Sequence, residues 1–470
     1  MSEHLTSWLG AALSSTLSST RPNDFVRNSS AIDQPARAAP PTSSWPSLEV
    51  VPGDRLGDLA LGMTVPTITR WLQAVQRPLQ LDIEYTAPST ESLDLCLTLR
   101  RGAPSCPFLK LHFGGRRQSL GLIEILDLGA IELTYGGRSL VTLPAFSDGV
   151  PSCTPPLTMQ RLFDVLGRQG TFADDSGFTY WQQGIAAWAC SGSSGSADTS
   201  AVWTPVERLL VYRPVPPGPQ DLIRNRRLPR ESGADRWPGG VPSPDVFIQL
   251  GGSISGALFT VMPEDVRLQC GMQVQEVLAS IGSPDEEYDG FPQGSQHELL
   301  AAAQKLDVYV HNYFRRGFDV VYNACSHSVA GFVMHTNFAA DQDFGLYERC
   351  CFCICVDAAA PDAAQARERK LESELAEAVD TPHASLTPWS SHEAVVALLG
   401  PPLMERERQQ QPPLALAALV ASSKEDPLGQ KDVLCWANYG IVVECMAGAK
   451  ETGCRCVTTV TVLPLCRESE

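Results

Sequence analysis

The chain has 470 residues, of which 43% are hydrophobic and 19% are charged, a composition typical of a globular protein. Its 36 Lys and Arg residues against 53 Asp and Glu residues give a net charge of −17, and so acidic a surface repels phosphate backbones and anionic lipid. The charge argues against a general nucleic-acid binder, and the sequence has no apolar run of about 18 residues or more that would predict a membrane span.

Residues 1–47 are rich in Ser, Pro and Ala and show no hydrophobic periodicity, which predicts a disordered N-terminal extension. The acidic Glu3 and the short apolar run after it do not match a secretory signal. The fifteen cysteines are therefore expected to be the reduced thiols of a cytoplasmic protein. An organelle transit peptide is the alternative, because this Ser-rich segment carries Arg21, Arg27 and Arg37.

Four short amphipathic segments recur along the rest of the chain, and each predicts a helix of about three turns. They are Leu61 to Val75, Leu157 to Gly170, Cys270 to Tyr288 and Ser390 to Met404. The later three end at a glycine, the residue that a helix C-terminus favours: Gly167, Gly282 and Gly400. Ser390 and Glu393 have the spacing of a capping box at the start of the fourth helix.

Alternating apolar strands follow each predicted helix, and three of these stretches begin with an aromatic residue and a glycine, as in "YWQQGIAAWAC" and "CWANYGIVVEC". Alternation with a period of two predicts antiparallel meanders that have one buried face. The predicted fold class is therefore α+β, with about four quasi-repeats of a short helix followed by an antiparallel β-meander, grouped in two halves. Whether the sheets of neighbouring repeats merge is left open.

Composition also predicts the domain boundaries, because Pro/Arg-rich and polar stretches separate the repeats. The predicted divisions are a disordered extension (1–47), an N-terminal half of two helix-meander units (48–212), a Pro/Arg-rich linker (213–244), a third unit (245–356), an insertion helix with a linker (357–386), and a fourth unit (387–466) that carries a loop insertion (405–431).

Sequence motifs of catalysis and nucleotide binding do not occur. The chain contains neither G-x-x-x-x-G-K-[ST] nor G-x-G-x-x-G, and its Ser/Gly-rich loop near Ser194 is not a nucleophile elbow. No paired acids, triad or cofactor motif stand out. We therefore predict a protein that is not an enzyme and that uses no cofactor.

The segment "RCCFCICV" concentrates four cysteines: Cys350, Cys351, Cys353 and Cys355. On a strand, the last three would share one face and Cys350 would take the other, whereas zinc needs convergent ligands. Buried core thiols are the favoured interpretation. A cryptic zinc or thiol enzyme, joined by His327 and His335, is an alternative, although a structural role is favoured for both histidines.

A basic cluster in the linker suggests another class of function. Its members are Arg224, Arg226, Arg227 and Arg230. They are candidate lipid-contact residues, and they carry the alternative of a membrane-trafficking protein that binds phosphoinositide directly. The competing interpretation is a solvated linker, because Asp221, Glu231 and Asp235 are interspersed.

The segment "NYFRRGFDVVYNACSHSVAGFVMHTNFAADQDFGLYERCCF" resembles the signature block of the phagophore (phagosome) assembly factor family, formerly an uncharacterised lin-10-like protein family. The matching positions are Asn312, Tyr313, Phe314, Gly317, Asp319, His327, Val329, His335, Thr336, Asn337, Phe338, Phe344, Tyr347, Arg349 and Cys350. Weaker similarity extends from Leu48 to Leu463. The family usually has Pro-Gly after the H-T-N-aromatic sequence, where this chain has Ala339 and Ala340.

The resemblance implies a non-enzymatic adaptor in autophagy. It implies a cytoplasmic protein that is recruited to the phagophore assembly site with a WD40 β-propeller partner, so that membrane contact is indirect. The signature block is then either a requirement of the fold or a partner surface. The candidate surface consists of Asn312, Tyr313, Phe314, Gly317, Asp319, His327, His335, Thr336, Asn337, Tyr347 and Arg349.

Overall fold

The computed structural model describes about half of the chain, in segments that include parts of all four predicted repeats. These are 47–75, 80–85, 93–101, 106–141, 156–168, 171–173, 178–181, 183–189, 204–214, 222–223, 244–250, 257–262, 264–289, 307–338, 343–356, 385–402, 404–408, 431–436, 440–447 and 455–463. Outside the described residues lie 1–46 of the predicted extension (1–47), 357–384 of the predicted insertion helix and linker (357–386), and 409–430 of the predicted loop insertion (405–431).

Two helices and thirteen strands make up the first half of the chain as the structure describes it. In order they are β1 (Leu48–Val51), β2 (Arg55–Leu56), β3 (Leu59–Ala60), α1 (Val65–Ala74), β4 (Gln80–Tyr85), β5 (Leu93–Arg101), β6 (Cys106–Gly114), β7 (Ser119–Ile125), β8 (Leu133–Tyr135), β9 (Arg138–Val141), α2 (Met159–Leu166), β10 (Thr171–Ala173), β11 (Phe178–Trp181), β12 (Ile185–Ala189) and β13 (Val206–Tyr212).

The second half repeats the same order of elements. It comprises β14 (Val246–Leu250), β15 (Ala257–Val261), β16 (Val266–Leu268), α3 (Val274–Ile281), β17 (Glu286–Asp289), β18 (Val308–Tyr313), β19 (Phe318–Asn323), β20 (Val329–His335), β21 (Phe352–Val356), β22 (Ser385–Leu386), α4 (His392–Leu399), β23 (Met404–Arg408), β24 (Lys431–Trp436), β25 (Ile441–Ala447) and β26 (Arg455–Val462). Each half thus runs through three strands, a helix, four strands, two strands, a helix and four strands.

This order confirms the predicted α+β fold with helix-meander repeats in two halves. Every described helix is followed by a four-stranded antiparallel stretch: β4–β7, β10–β13, β17–β20 and β23–β26. Of the strands before and between the repeats, β21 was predicted, from the alternation in "RCCFCICV". Strand β23 also occupies Met404–Arg408, where the sequence predicts the start of an insertion at residue 405.

Helix ends follow local sequence chemistry. Helices α2, α3 and α4 end at Gly167, Gly282 and Gly400, all with φ between 80° and 84°, as the glycines predict. The predicted capping box at Ser390 is displaced by one residue, because the hydroxyl of Ser391 accepts the hydrogen bond from Ala394 N. Helix α3 has the capping box that the sequence analysis missed, with Gln273 as its N-cap.

The chain divides into two compact units. This division does not test the predicted domain boundaries, which stay a prediction. The first unit consists of Met1–Asp58 and Ile125–Val211. In it, β1 pairs antiparallel with β2 and parallel with β8, β8 pairs antiparallel with β9, and β10–β13 form a meander. The buried side chains of α2 and of the meander, among them Leu162, Tyr180 and Trp181, form its core.

The second unit consists of Leu59–Glu124 and Tyr212–Glu470. It holds the meander β4–β7, a five-stranded sheet of order β16-β15-β14-β21-β22, and an eight-stranded sheet of order β17-β18-β19-β20-β26-β25-β24-β23. The third and fourth repeats therefore merge, through the antiparallel pairing of β20 with β26. One apolar core lies among these two sheets, α3 and α4. None of the described helices is long and apolar enough to cross a membrane.

Candidate functional site

Most signature residues lie on β18, β19 and β20 and on the connection from β20 to β21, and Phe314, Gly317 and His327 lie in the turns between these strands. The antiparallel register of β18 and β19 places Asn312 opposite Asp319. Asn312, Tyr313, Asp319, His335, Thr336, Asn337, Tyr347 and Arg349 are all buried. Phe314 is half-buried and His327 is exposed.

Asp319 is the centre of a polar cluster that has no exposed surface at the carboxylate. Its Oδ1 accepts hydrogen bonds from Asn312 Nδ2 at 2.9 Å and from the Tyr347 hydroxyl at 2.8 Å. Its Oδ2 lies 2.9 Å from His335 Nε2. A buried carboxylate is tolerated where donors surround it, and these three side chains supply them. We call Asn312, Asp319, His335 and Tyr347 the Asp319 cluster.

Ring stacking fixes the geometry of the Asp319 cluster. The rings of His335 and Tyr347 are stacked with centroids 3.8 Å apart, and the ring of Phe314 meets Tyr347 edge-on at 4.8 Å. Burial, followed by the charge of Asp319, raises the pKa of Tyr347 well above its ordinary value. The phenol therefore stays protonated and donates its hydrogen bond to Asp319.

The Asp319 cluster contains a carboxylate and an imidazole in contact, as in hydrolase triads, but its third member is a tyrosine rather than a serine or cysteine. The Tyr347 hydroxyl is held between Asp319 and Asn312. His335 and Asp319 are only 2% and 0% exposed, so both groups of the carboxylate-imidazole contact are buried. The arrangement suits a polar core that specifies the fold.

Arg349 forms a second buried cluster, with residues from the first meander. Its Nη2 donates to Asp94 Oδ2 at 2.8 Å and to the Tyr85 hydroxyl at 3.1 Å. Its Nε donates to the carbonyl of Thr336 at 3.2 Å, and Nη1 donates to that of Gly115 at 3.3 Å. Burial raises the pKa of Asp94, and the charge of Arg349 opposes that shift. This ion pair fastens the signature block to β4–β7.

Two neighbouring signature residues, Thr336 and Asn337, also make buried hydrogen bonds to distant residues. The Asn337 amide lies 2.8 Å from the side-chain amide of Gln118, and its Oδ1 accepts from Gly345 N at 2.9 Å. The Thr336 hydroxyl lies 2.8 Å from the carbonyl oxygen of Thr458 in β26. Both residues therefore connect the end of β20 to distant parts of the chain.

Gly317 occupies the turn between β18 and β19 at a φ of 75°. A Cβ atom there would lie 2.4 Å from Glu348 O and 2.6 Å from Cys350 N. The chain at Cys350 also donates its backbone hydrogen bond to the carbonyl of His335 at 2.8 Å. Glycine is required here because the connection from β20 to β21 runs directly against the turn.

His327 lies apart from the Asp319 cluster, since it precedes β20 whereas His335 ends that strand. Its Nδ1 is 3.2 Å from the Tyr309 hydroxyl, and its φ of 52° is unusual for a non-glycine residue. The two histidines that the sequence offers as partners of one metal site are thus at opposite ends of one strand.

The four clustered cysteines do not all lie on one strand, because β21 begins at Phe352. Burial raises the pKa of the Cys350 and Cys351 thiols, the latter to about 12, so both are inert as nucleophiles at neutral pH. Cys353 and Cys355 are on β21 with their Sγ atoms 3.9 Å apart. Across the described part of the chain, no group of three or more His, Cys, Asp or Glu residues has the arrangement of a metal site.

Sequence reasoning missed the residues that complete the clusters, namely Tyr85, Asp94 and Gln118. Asp94 did carry a signal, because it is a lone acid in the apolar strand "LDLCLTL", and a carboxylate in such a strand needs a partner. The candidate lipid-contact residues Arg224, Arg226, Arg227 and Arg230 lie outside the described residues.

A family model described as "Phagosome assembly factor 1" matches residues 247–462, the stretch that contains the signature block. Over this stretch the chain is similar to the phagosome assembly factor family. A PHAF1 protein of Arabidopsis thaliana is 25% identical over 338 residues, which cover 67% of this chain and 76% of the plant protein. A PHAF1 protein of Caenorhabditis elegans is 24% identical over 330 residues, with 63% and 74% covered.

A third phagosome assembly factor relative, from Drosophila melanogaster, is 23% identical over 180 residues and covers 37% of this chain. The plant and worm alignments cover more of this chain than the family model does, so similarity to the family extends beyond the signature block. No solved structure matches the chain.

Proposed function

We propose that this protein is a non-enzymatic adaptor in autophagy. It acts at the phagophore assembly site, to which it is recruited from the cytoplasm, and it does so together with a WD40 β-propeller protein. Similarity to a family described as phagosome assembly factors carries the proposal. The closed Asp319 cluster supports the absence of catalysis, because its carboxylate and imidazole serve each other and the fold.

The partner surface is best sought around the signature block rather than in its buried side chains. Among the described residues, the large hydrophobic side chains that are exposed are Tyr288 and Leu346, at 44% and 38%. Asp343 lies between these side chains and the Asp319 cluster: its carboxylate is 3.9 Å from His335 Nδ1, and its carbonyl accepts from Leu346 N at 3.1 Å. The hydrogen bond with Glu286 and burial raise the pKa of Tyr288, and the charge of Asp343 adds a smaller effect in the same direction. Exposed aromatic and aliphatic anchors are typical of interface centres.

Affinity purification of the tagged full chain from starved cells tests the proposal. We expect a WD40 protein among the partners, and we expect Leu346→Asp or Tyr288→Asp to reduce its recovery. Gln275→Asp, on an exposed position of α3, is the matched control and should leave recovery unchanged. A full set of partners without a WD40 protein would contradict the adaptor mechanism, and an unchanged recovery from both surface variants would place the docking surface elsewhere.

Direct phosphoinositide binding through Arg224, Arg226, Arg227 and Arg230 is the alternative proposal. It rests on the charge of this segment alone. Flotation of the purified chain with phosphoinositide liposomes is the measurement. Binding that is lost when the four arginines are changed to Glu would favour this alternative over recruitment through a partner.

A further inference from the structure

Cys353 and Cys355 form a close thiol pair outside the Asp319 cluster. They are two residues apart on β21, so their side chains share a face, and their Sγ atoms are 3.9 Å apart. Cys353 is buried and Cys355 is half-buried, so the pair is reached from the Cys355 side. Strand β22 places Ser385 in register with Cys355.

The spacing of the two sulfurs favours a bridging metal ion over a disulfide. Residues i and i+2 on a strand are about 6.6 Å apart, whereas the Cβ atoms of a disulfide are only about 3.8 Å apart. Strand β21 is held on both sides, by parallel pairing with β14 and antiparallel pairing with β22, and this pairing resists the necessary kink. Two metal–thiolate bonds of about 2.3 Å span about 3.8 Å at a tetrahedral angle and about 4.6 Å when linear. The observed distance lies within that range.

We propose that Cys353 and Cys355 bind one thiophilic metal ion, Cu(I), as a two-thiolate site. Thiolate donors select soft ions such as Cu(I), whereas structural zinc sites take four ligands. Binding replaces both S–H bonds with S–Cu bonds, releases two protons to solvent and involves no change in oxidation state.

The chemistry at Cys353 supports this assignment. A hydrogen bond with Cys355 lowers the pKa of the Cys353 thiol, and this effect exceeds the opposing effect of burial. A hydrogen bond with Ser385 lowers the pKa further. Thiolates rather than thiols bind metals. By contrast, burial raises the pKa of the neighbouring Cys351 to about 12, so the pair on β21 differs from the other cysteines of the same segment.

Titration of the reduced full chain with Cu(I), under nitrogen and in competition with bicinchoninate, tests the site. We expect one Cu(I) per chain. Because changes even outside the ligand shell cost metal sites about 10–100-fold in affinity, Cys355→Ser should weaken binding by about 100-fold or more. Cys106→Ser and Cys325→Ser, which alter exposed cysteines, are the matched controls and should leave the affinity unchanged.

Several outcomes would overturn the proposal. One is that tight Cu(I) binding is lost when Cys454 and Cys456 are changed to Ser and is kept in Cys355→Ser. Another is that the chain binds several Cu(I) ions, all weakly. Should Cys355→Ser fail to fold, phenylarsine oxide on the wild-type chain decides. Mass spectrometry should then show one arsenic bridging Cys353 and Cys355, and protection from it by Cu(I). Separate single-cysteine adducts or a lack of protection would contradict the site.

Discussion

Each polar side chain of the Asp319 cluster is buried together with a partner. The Asp319 carboxylate takes hydrogen bonds or close contacts from three side chains on two strands and one connection. Breaking such a network leaves buried groups without partners, at a cost of about 1–3 kcal/mol for each one. The cluster therefore contributes more to the choice of a single fold than the net value of its hydrogen bonds suggests.

Gly317 is a position of the signature block where the addition of one methyl group should destabilise the fold. Gly317→Ala places a Cβ atom 2.4 Å from Glu348 O, so the connection to β21 must move, and we expect the free energy of unfolding to fall by about 3 kcal/mol or more. Gly271→Ala is the matched control. Its φ is 87° with nothing within 4 Å of the new atom, so only the backbone cost of about 1–2 kcal/mol applies. Equal losses in urea denaturation would contradict a steric role for Gly317.

Tyr347 predicts a loss of stability in alkali. Burial and the charge of Asp319 raise its pKa in the folded state, while the unfolded chain ionises near pH 10. The folded state therefore keeps a proton that the unfolded state releases, so the stabilisation is complete below pH 10 and falls as the pH rises beyond it. Tyr347→Phe should flatten this fall between pH 9 and 11 in chemical denaturation, relative to wild type. An unaltered slope would show that the phenol ionises normally.

At the scale of elements, three repeats share one hydrogen bond that joins the meander to the end of the preceding helix. In each, an aromatic side chain of the meander donates a hydrogen bond to the carbonyl of the glycine that ends the preceding helix. The pairs are Trp181 with Gly167 at 2.9 Å, Tyr313 with Gly282 at 3.1 Å, and Trp436 with Gly400 at 2.9 Å. Each bond satisfies a backbone acceptor where the helix can no longer do so.

A substitution that removes a hydroxyl and keeps its ring measures how much one of these hydrogen bonds contributes to the free energy of unfolding. Tyr313→Phe keeps the packing and leaves the Gly282 carbonyl without its donor, so we expect a loss of about 1 kcal/mol in the free energy of unfolding. Tyr288→Phe is the control, since its hydroxyl donates to Glu286 at 2.6 Å on an exposed side chain. That change should stay within about 0.5 kcal/mol of wild type. A Tyr313→Phe variant as stable as the control would show that the hydrogen bond from Tyr313 to Gly282 does not stabilise the repeat.

The sequence predicted these repeats because their aromatic, glycine and strand pattern is local. The five-stranded sheet of β14–β16, β21 and β22 could not be predicted from periodicity, since its strands have two to five residues and so show too few alternations. Its central pairing joins Val246 to Phe352, and no local pattern encodes a contact across such a separation. The same limit hid the partners of Arg349 and Asn337, which lie in β4–β7 and the turn after β6.

At the scale of the whole molecule, the signature block depends on chain that precedes the family match. Arg349 and Asp94 have side chains with 1% and 0% exposure and are 255 residues apart. Removing one partner of such a buried pair costs about 3–5 kcal/mol, because the other charge is left unpaired. The match to residues 247–462 thus describes a region that is incomplete on its own.

A fragment of residues 245–466 should therefore not fold stably. It retains Arg349 and lacks Asp94, Tyr85 and Gln118, so we expect a poorly dispersed amide spectrum and aggregation. In the full chain, Asp94→Ala should lower the free energy of unfolding by about 3–5 kcal/mol, and Asp307→Ala, at an exposed acid, should not. A fragment with the cooperative melting of the intact protein would contradict the dependence.

The identical succession of elements in the two halves has a consequence for descent. A chain that runs twice through three strands, a helix, four strands, two strands, a helix and four strands is what fusion of a duplicated gene leaves behind. The two halves are no longer equivalent, because the polar signature lies in the later half while the earlier half contributes Asp94 and Tyr85 to its contacts. Neither half could therefore replace the other.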